Sequence, residues 1–325
     1  MKRKTRRIIY ICLLLVFVAG YFYMNQGTVL SAENSVTQGT VLSDQSSHTA
    51  VTQGTVLSAQ TPALVLGDDI QLPVCPSTTG AGVESGHEFR SFSGYTICYR
   101  EEYEQPEWAA YTLTQEKLVK NTSRADNFRP DPEISTGSAS LADYKGSGYD
   151  RGHLAPAADF AYSAEAMDDS FYLSNMSPQN GSFNRGIWAK LEAAVRDWAG
   201  ETLITYVVTG PVLEKPASEY SFIGANEVSI PEYYYKALLF VYEDNANAPA
   251  ALTAAGASSD ALLSATTSDG QQVWLYAAGY LLPNEKSGAD LASFTVSIDD
   301  IEERTGLDFF SLLPDVYEDA LEAAR

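Results

Sequence analysis

The sequence predicts an α+β domain, rich in strands and with few helices, behind an apolar segment and a low-complexity stretch. Runs of β-branched and aromatic residues recur from about Ile70 onward, and helical spacing of apolar residues is confined to shorter stretches. Of the 325 residues, 45% are hydrophobic, which is too many for a disordered chain. The composition therefore predicts a folded part with one good-sized core or two small ones.

The chain begins with a basic segment followed by an apolar run. Residues 8–24 contain no charged side chain and are just long enough to span a membrane. Five basic residues and no acidic residue precede the run, which places the N-terminus in the cytoplasm by the positive-inside rule. We therefore expect residues 1–24 to be a cytoplasmic tail and a single-pass anchor in the cell membrane, with the remainder extracellular. The alternative is a cleaved signal peptide, which predicts a secreted protein.

A stretch rich in Ser, Thr and Gln follows the apolar run. The hexapeptide QGTVLS begins at Gln26, Gln38 and Gln53, and this unequal spacing argues against a regular solenoid. We predict a flexible stalk over residues 25–70 and a folded domain over residues 71–325.

Two cysteines, Cys75 and Cys98, fall in the predicted domain. In an exported chain such a pair can form a disulfide, and the alternative is two buried thiols. The sequence alone leaves both open. A zinc site is not predicted, because the cysteines are far apart and have no nearby histidine.

Five runs in the predicted domain have strand character. Most are rich in β-branched or aromatic residues, and the longest are mostly apolar, as expected for strands buried in a sheet. The predicted strands span residues 95–99, 109–113, 203–208, 233–242 and 272–282. Between the last two, the segment 244–271 is rich in Ala, Ser, Thr and Asn, and it is predicted to be an exposed loop insertion.

The clearest helix is predicted over residues 184–199, where apolar residues recur at three- and four-residue intervals. Asn184, Trp188 and Glu192 are four residues apart, so their side chains are expected along one strip of this helix. A second helix is predicted over residues 298–304.

The strongest candidate for chemistry lies between Gly146 and Pro156. Asp150, Arg151 and His153 bring an acid, a cation and an imidazole within four residues, with glycines that let the backbone approach a ligand. These groups can supply water activation at a metal, phosphate binding and proton transfer. The alternative is a structural turn held by Asp150 and Arg151, and this segment alone does not choose between the two.

A second segment adds residues at fixed intervals. Asn175 lies in the stretch NMSPQ, Asn184 follows nine residues later, and Glu192 eight residues after that. Together with DRGH at residues 150–153, this pattern resembles the DNA/RNA non-specific endonucleases, the family of endonuclease G and the secreted bacterial nucleases. The resemblance covers roughly residues 90–315 and leaves out the anchor and the stalk.

The resemblance implies a ββα-metal (His-Me finger) fold with a central, mostly antiparallel sheet flanked by helices. It also implies metal-dependent hydrolysis of phosphodiester bonds in DNA, RNA or both, with little sequence specificity. His153 is the expected general base, because an imidazole pKa near 6.5 suits neutral pH. Asn184 is the expected ligand of one Mg²⁺, with Mn²⁺ as an alternative ion.

Supporting roles follow from the same resemblance. Glu192, and Asp150 in the same way, are expected to accept hydrogen bonds from water on the metal, and Asn175 to orient the site. Relatives have an arginine upstream of DRGH that stabilises the transition state. Arg124 is the better match here, and Arg129 is the alternative. Arg151 is expected to brace the turn rather than to contact phosphate.

The charge balance opposes this interpretation, because 42 acidic side chains face only 21 basic ones and an acidic surface repels nucleic acid. Basic residues do cluster around the motifs, so we expect a local positive groove and activity that falls steeply with salt. Two other functions stay open. One is an inactive surface-binding module on the nuclease fold, against which the intact His153, Asn184 and Glu192 argue. The other is a phosphodiesterase acting on small substrates.

Overall fold

The computed structural model describes residues 62–67, 69–76, 86–243 and 261–324, together with the backbone of Thr55–Val56. The predicted membrane anchor, most of the predicted stalk and the first part of the predicted insertion lie outside these residues. Within the described ranges, no helix has both the length and the apolar character needed to cross a membrane.

A large, mostly antiparallel sheet forms the centre of the fold. The strands are β1 (Thr55–Val56), β2 (His87–Ser91), β3 (Thr96–Arg100), β4 (Gln105–Leu113), β5 (Tyr149–His153), β6 (Met176–Asn180), β7 (Ile204–Pro211), β8 (Phe222–Ile223), β9 (Val228–Ser229), β10 (Tyr233–Tyr242), β11 (Leu263–Thr266), β12 (Gln272–Pro283) and β13 (Thr295–Val296). The nine-stranded sheet follows the order β1-β11-β12-β10-β7-β4-β3-β2, with β13 beside β12. Its pairings are antiparallel except that of β1 with β11. Strands β5 and β6 form a separate hairpin-like pair, as do β8 and β9.

Helices lie between and after the strands. They are α1 (Leu141–Tyr144), α2 (Ala164–Asp169), α3 (Gly181–Phe183), α4 (Ala189–Ala199), α5 (Ile298–Thr305) and α6 (Asp315–Glu322). A π-helical turn, Asn184–Trp188, joins α3 to α4. Short 3₁₀ turns span Glu101–Tyr103, Gln115–Leu118, Ala157–Phe160, Leu173–Asn175, Ala217–Glu219 and Leu291–Phe294.

The central sheet separates two apolar cores because side chains alternate between the faces of each strand. Along β10, Leu238 and Phe240 pack in the core that includes Leu191 and Val195 of α4. Leu239, their neighbour in sequence, points to the opposite core. We call the side covered by α4 the helix-α4 face and the other the C-terminal face.

The C-terminal face is covered by α5, α6 and the chain between them. Ile298, Ile301, Tyr317 and Leu321 pack there. The disulfide Cys75–Cys98 lies in the same core and ties the segment before β2 to β3, which settles the alternative that the sequence left open.

The predicted strands are present, with small differences at their ends. The strand predicted at 233–242 coincides with β10, and that at 272–282 gains one residue. β4 begins at Gln105, four residues before the predicted start at residue 109. The sequence did not indicate these four residues as strand because they include Pro106, and proline is disfavoured inside a strand. The structure accommodates Pro106 beside a shift in register between Cys98 and Tyr99 of β3.

Two predicted boundaries need correction. Residues 263–266 of the predicted insertion form β11, which pairs with β12 in the central sheet. Leu64, which falls in the predicted stalk, is fully buried in the C-terminal core and bridges to Thr267. Small polar residues dominate both segments. The few apolar side chains in them, such as Leu64, form no periodic pattern from which burial could be predicted.

Candidate active site

The segment that carries DRGH forms β5, which pairs with β6, and the chain then enters the π turn and α4. This is a β-β-α unit in the order that the sequence predicted. The register places Gly152 opposite Ser177 and His153 opposite Met176. A Cβ atom on Gly152 would lie 2.2 Å from the side chain of Gln179, so only glycine fits. This glycine is therefore required by packing within the pair of strands.

Asn175 holds the backbone directly after His153. Its fully buried amide accepts a hydrogen bond from Ala155 N at 3.0 Å and donates to the carbonyl oxygens of Ala155 and Ser170, each at 2.9 Å. Leu154 N also donates to the carbonyl of Asn175. Because the side chain is saturated by these three bonds, Asn175 fixes the end of β5 rather than facing a ligand.

The His153 imidazole is buried between two aromatic rings. Its centroid lies 5.6 Å from the ring of Phe128 and 5.0 Å from that of Phe171, both edge-to-face. Nε2 is buried and has no hydrogen-bond partner. Burial, followed by the charges of Arg124 and Arg151, lowers the pKa of His153 to about 3. The imidazole is therefore neutral, and able to accept a proton, across the physiological pH range.

The structure distinguishes the two candidate upstream arginines. The Arg124 guanidinium lies 4.8 Å from the centroid of Phe171, the ring that also contacts His153, and its side chain is half exposed. Its charge acts on both His153 and Glu192. Both arginines have a carboxylate partner at 2.6 Å, Asp126 for Arg124 and Asp168 for Arg129. What distinguishes Arg124 is its place beside Phe171 and the effect of its charge on His153.

Arg151 lies beside the same cluster. Its guanidinium sits 4.1 Å from the centroid of the Phe128 ring, so it stacks on the aromatic wall of His153. The residue is exposed, and its charge contributes to the lowered pKa of His153. Arg151 therefore lies against the aromatic wall of His153 while its side chain stays accessible to solvent, and its bracing role stays a prediction.

Asp150 fixes the orientation of Asn184. Asn184 Nδ2 donates to Asp150 Oδ2 at 3.0 Å, and the same carboxylate oxygen pairs with Arg185. Because the amide nitrogen is held in this way, the amide oxygen of Asn184 is the end left for a ligand. Asp150 is therefore placed to support Asn184 directly.

The predicted helix does not begin as an α-helix. Ala189 N donates to the carbonyl of Asn184, five residues back, as in a π turn, and Gly186 has non-helical angles of φ −109° and ψ −109°. The four-residue spacing that predicted one strip for Asn184, Trp188 and Glu192 therefore does not apply here. Trp188 is buried in the core, whereas Asn184 is only partly buried.

The residues fit a metal of the kind that takes few protein ligands. Among the described residues, no group of three His, Cys, Asp or Glu side chains converges at this site. Mg²⁺ keeps several waters and accepts oxygen ligands, so one oriented amide oxygen with carboxylates nearby suits it. A zinc site usually takes three or four His, Cys or carboxylate ligands, and no such group is found here among the described residues.

Glu192 lies on α4, partly buried next to other charges. Burial raises the pKa of its carboxyl, and the charge of Lys236 is the main influence in the opposite direction. Asp159 adds to the rise, while Arg196 and Arg124 reduce it. The ionisation of Glu192 is therefore governed by a network that extends behind the site.

Lys236 is the unexpected member of this network. It is fully buried on the helix-α4 face of β10, donates to Thr209 Oγ1 at 3.2 Å and lies 4.7 Å from the centroid of Trp188. Burial lowers the pKa of its ammonium, and the carboxylates of Glu192 and Asp159 oppose that change. A lone lysine inside the run YYYKALLFVY was the available sign, since a buried lysine needs a partner.

Comparison with known proteins decides the family. The family model described as DNA/RNA non-specific endonuclease matches residues 77–316, which is most of the chain. The chain belongs to this family.

Several relatives in the DNA/RNA non-specific endonuclease family are similar over the same region. A mitochondrial nuclease EXOG of Xenopus laevis is 34% identical over 241 residues, covering 70% of this chain and 60% of the relative. Nuclease C1 of Cunninghamella echinulata var. echinulata is 33% identical over 245 residues, covering 70% and 85% respectively. The chain spans about 60% of the length of the EXOG relatives.

A solved structure supports the same family assignment. A chain in the crystal structure of the EndoG/EndoGI complex superposes with a TM-score of 0.56 at 30% identity, covering 70% of this chain and 87% of that one. The resemblance inferred from DRGH and the spaced asparagines is confirmed, as is the mixed fold with a central antiparallel sheet.

Proposed function

We propose that the chain is a metal-dependent endonuclease that hydrolyses phosphodiester bonds of DNA, RNA or both with little sequence preference. The observation that carries the proposal is the buried, neutral His153 with an unpartnered Nε2, beside the charge of Arg124. Membership in the DNA/RNA non-specific endonuclease family supports the same reaction.

His153 is the general base in this proposal. Within the described chain no hydrogen bond occupies Nε2, and the neutral imidazole has a free lone pair with which to take a proton from the attacking water. A base with so low a pKa is weak, and a bound phosphodiester changes that. Burial is the main cause of the low pKa, and the charges of Arg124 and Arg151 add to it. The phosphate charge would offset the two arginines and so raise the pKa of His153 when substrate arrives.

Arg124 stabilises the charge that develops on the phosphate. Its half-exposed side chain reaches the His153 cluster from solvent, which is the side from which a nucleic acid strand approaches. Asn184 would hold Mg²⁺, or Mn²⁺ in its place, through the amide oxygen that Asp150 orients. When bound, that ion supplies charge neutralisation at the scissile phosphate and at the leaving oxygen.

Glu192 and Asn175 complete the proposed site in different ways. Glu192, as a carboxylate, orients water at the site by accepting hydrogen bonds, and Lys236 favours its ionised form. Asn175 is a positioning residue, because its bonds to Ala155 hold the turn that follows His153.

We also propose that the catalytic domain is displayed outside the cell membrane on the anchor at residues 8–24, or secreted if that segment is cleaved. The apolar run behind a basic flank supports export, and so does the disulfide Cys75–Cys98, since disulfides persist in oxidising compartments. Protease treatment of intact cells tests this, because an exported domain is degraded and a retained one is protected.

The activity is tested by nicking of supercoiled plasmid with the full chain in detergent, in Mg²⁺ and in EDTA. We expect nicking only with metal, and a loss of about 10²-fold or more in His153→Ala, the range for a general base. His87→Ala is the matched control, because His87 lies on β2 beside Glu107 and away from the site. Full activity in EDTA would contradict the metal, and metal-dependent binding without nicking would support an inactive binding module.

A further inference from the structure

Five carboxylates converge at the C-terminal end of the domain, away from the proposed active site. They come from three consecutive segments, namely α5, the loop after it, and α6. The residues are Asp299, Glu302, Asp308, Glu318 and Glu322. They form two groups of three that share Glu322, and within each group the carboxylate oxygens lie within 4.8 Å of one another. We call these residues the C-terminal carboxylate cluster.

Glu322 is the member that an ordinary acidic surface does not explain. Its side chain is only 8% exposed, and its Oε1 is buried with no hydrogen-bond partner. A buried carboxylate oxygen without a donor is costly unless something else neutralises it. The unpartnered group points into both groups of carboxylates, which is where a cation would sit.

Among the described residues, no basic side chain forms an ion pair with the cluster. The ion pairs among the described residues involve none of its five members, and Arg304 on α5 pairs with Glu214 instead. Carboxylates held this close repel one another when they are ionised, and a bound cation relieves that repulsion.

We propose that the C-terminal carboxylate cluster is a structural binding site for one Ca²⁺ ion, with Glu322 as its central ligand. Ca²⁺ accepts six to eight oxygen ligands in flexible geometry, whereas Mg²⁺ demands a near-ideal octahedron and usually takes one or two carboxylates. Several carboxylates on two helices and a loop therefore suit Ca²⁺ better.

The site has a structural consequence. Helices α5 and α6 cover the C-terminal face of the sheet, where Ile301 and Tyr317 pack in the core. A cation held by Asp299 and Glu302 of α5 and by Glu322 of α6 ties the two helices together. Because α4, and Leu154 next to His153, pack in the other core, this ion stabilises the domain without taking part in catalysis.

Thermal unfolding of the full chain in detergent tests the proposal without nucleic acid. The background is Asn184→Ala, which removes the proposed ligand of the active-site metal, so that Ca²⁺ binding there does not contribute. We expect about 1 mM Ca²⁺ to raise Tm by roughly 3 °C or more over EDTA. Adding Glu322→Gln should abolish this rise, and in EDTA the same variant should have an equal or higher Tm, because repulsion is removed.

Glu303→Gln is the matched control, since Glu303 is an exposed acid on α5 outside the cluster. It should retain the Ca²⁺-dependent rise. Equilibrium dialysis with Ca²⁺ gives a second measurement, in which Glu322→Gln, or Asp299→Asn if the former does not fold, should lose one ion per chain. An unchanged Ca²⁺ stoichiometry, or no Ca²⁺-dependent rise in Tm before Glu322 is changed, would overturn the proposal.

Discussion

Asp150 Oδ2 accepts a hydrogen bond from Asn184 Nδ2 at 3.0 Å, across 34 residues of sequence. This bond decides which end of the Asn184 amide is free. The aspartate of DRGH therefore acts on the proposed metal ligand itself, which is a more specific role than the hydrogen bond to water expected from the family resemblance. It also explains physically why the tetrapeptide and the later asparagine occur together.

The first prediction concerns Asp150→Ala. Without the acceptor, the Asn184 amide can turn its nitrogen toward the ion, so we expect a 10–100-fold weaker apparent affinity for Mg²⁺. The measurement is nicking rate against Mg²⁺ concentration, with recovery of most of the rate at high Mg²⁺. Arg185→Gln is the control, because it removes the other partner of the same carboxylate and leaves the amide held. An unchanged Mg²⁺ requirement in Asp150→Ala would contradict the orienting role.

The second prediction concerns the buried amide of Asn175. Asn175→Ala leaves the backbone groups of Ala155 and Ser170 without partners, which should lower the free energy of unfolding by about 3 kcal/mol or more. Urea denaturation measures this loss. Asn180→Ala is the control, since that side chain caps α3 with one bond to Ser182 N and should cost about 1 kcal/mol. Equal losses in the two variants would mean that the buried hydrogen bonds of Asn175 to Ala155 contribute no more to stability than one exposed cap bond.

The sequence predicted those parts of the fold in which the pattern of apolar residues matches the burial of their side chains. The run at 233–242 is apolar and aromatic because both faces of β10 are buried, so its bounds were found directly. His153 and Asn184 were singled out by the spacing of their motifs, and Arg124 was proposed from the family resemblance with Arg129 as the alternative. The π turn was not predicted. It depends on non-helical backbone angles at Gly186, and such a local change produces no periodic pattern in the sequence.

Other parts were hidden because they depend on tertiary contacts. In the sequence, Lys236 is a single charged residue within an apolar strand. In the fold, its ammonium lies against the Trp188 ring and interacts electrostatically with Glu192. Asparagine can be a metal ligand, but the Asn175 side chain is hydrogen-bonded to the backbone of Ala155 and Ser170. These groups come close to Asn175 only in the folded chain. Spacing identifies such residues, and geometry is needed to separate those that face a ligand from those that hold the backbone.

The third prediction concerns Lys236→Met. Burial raises the pKa of Glu192 and the Lys236 charge lowers it, so removing that charge should raise the pKa further. If ionised Glu192 orients water, activity is lost as pH falls through its pKa, and the acid limb of the kcat profile should move to higher pH. Lys190→Met is the control, because Lys190 is exposed on the same helix and should leave the limb in place. A lowered rate with an unshifted profile would indicate that Lys236 acts only in packing.

The fourth prediction follows from the buried, neutral His153. Its pKa is about 3 in the folded chain, against an unfolded value near 6.5. Between these values the unfolded chain binds one more proton, so His153 stabilises the fold fully above pH 6.5 and loses that contribution as pH falls toward 3. The slope from this one group is about 1.4 kcal/mol per pH unit.

His153→Gln removes the titration and keeps a polar side chain of similar size. Urea unfolding at pH 7 and pH 5 should therefore show a smaller loss of stability for the variant than for the unmodified chain, by about 2 kcal/mol. Carboxyl groups titrate in both proteins and cancel in this difference, so the comparison isolates the imidazole. Equal losses would mean that His153 takes up a proton in the folded state near its ordinary pKa, through access of water to Nε2. In that case a bound phosphodiester would not be needed to bring its basicity toward neutrality, and the proposed link between substrate binding and the strength of the base would be lost.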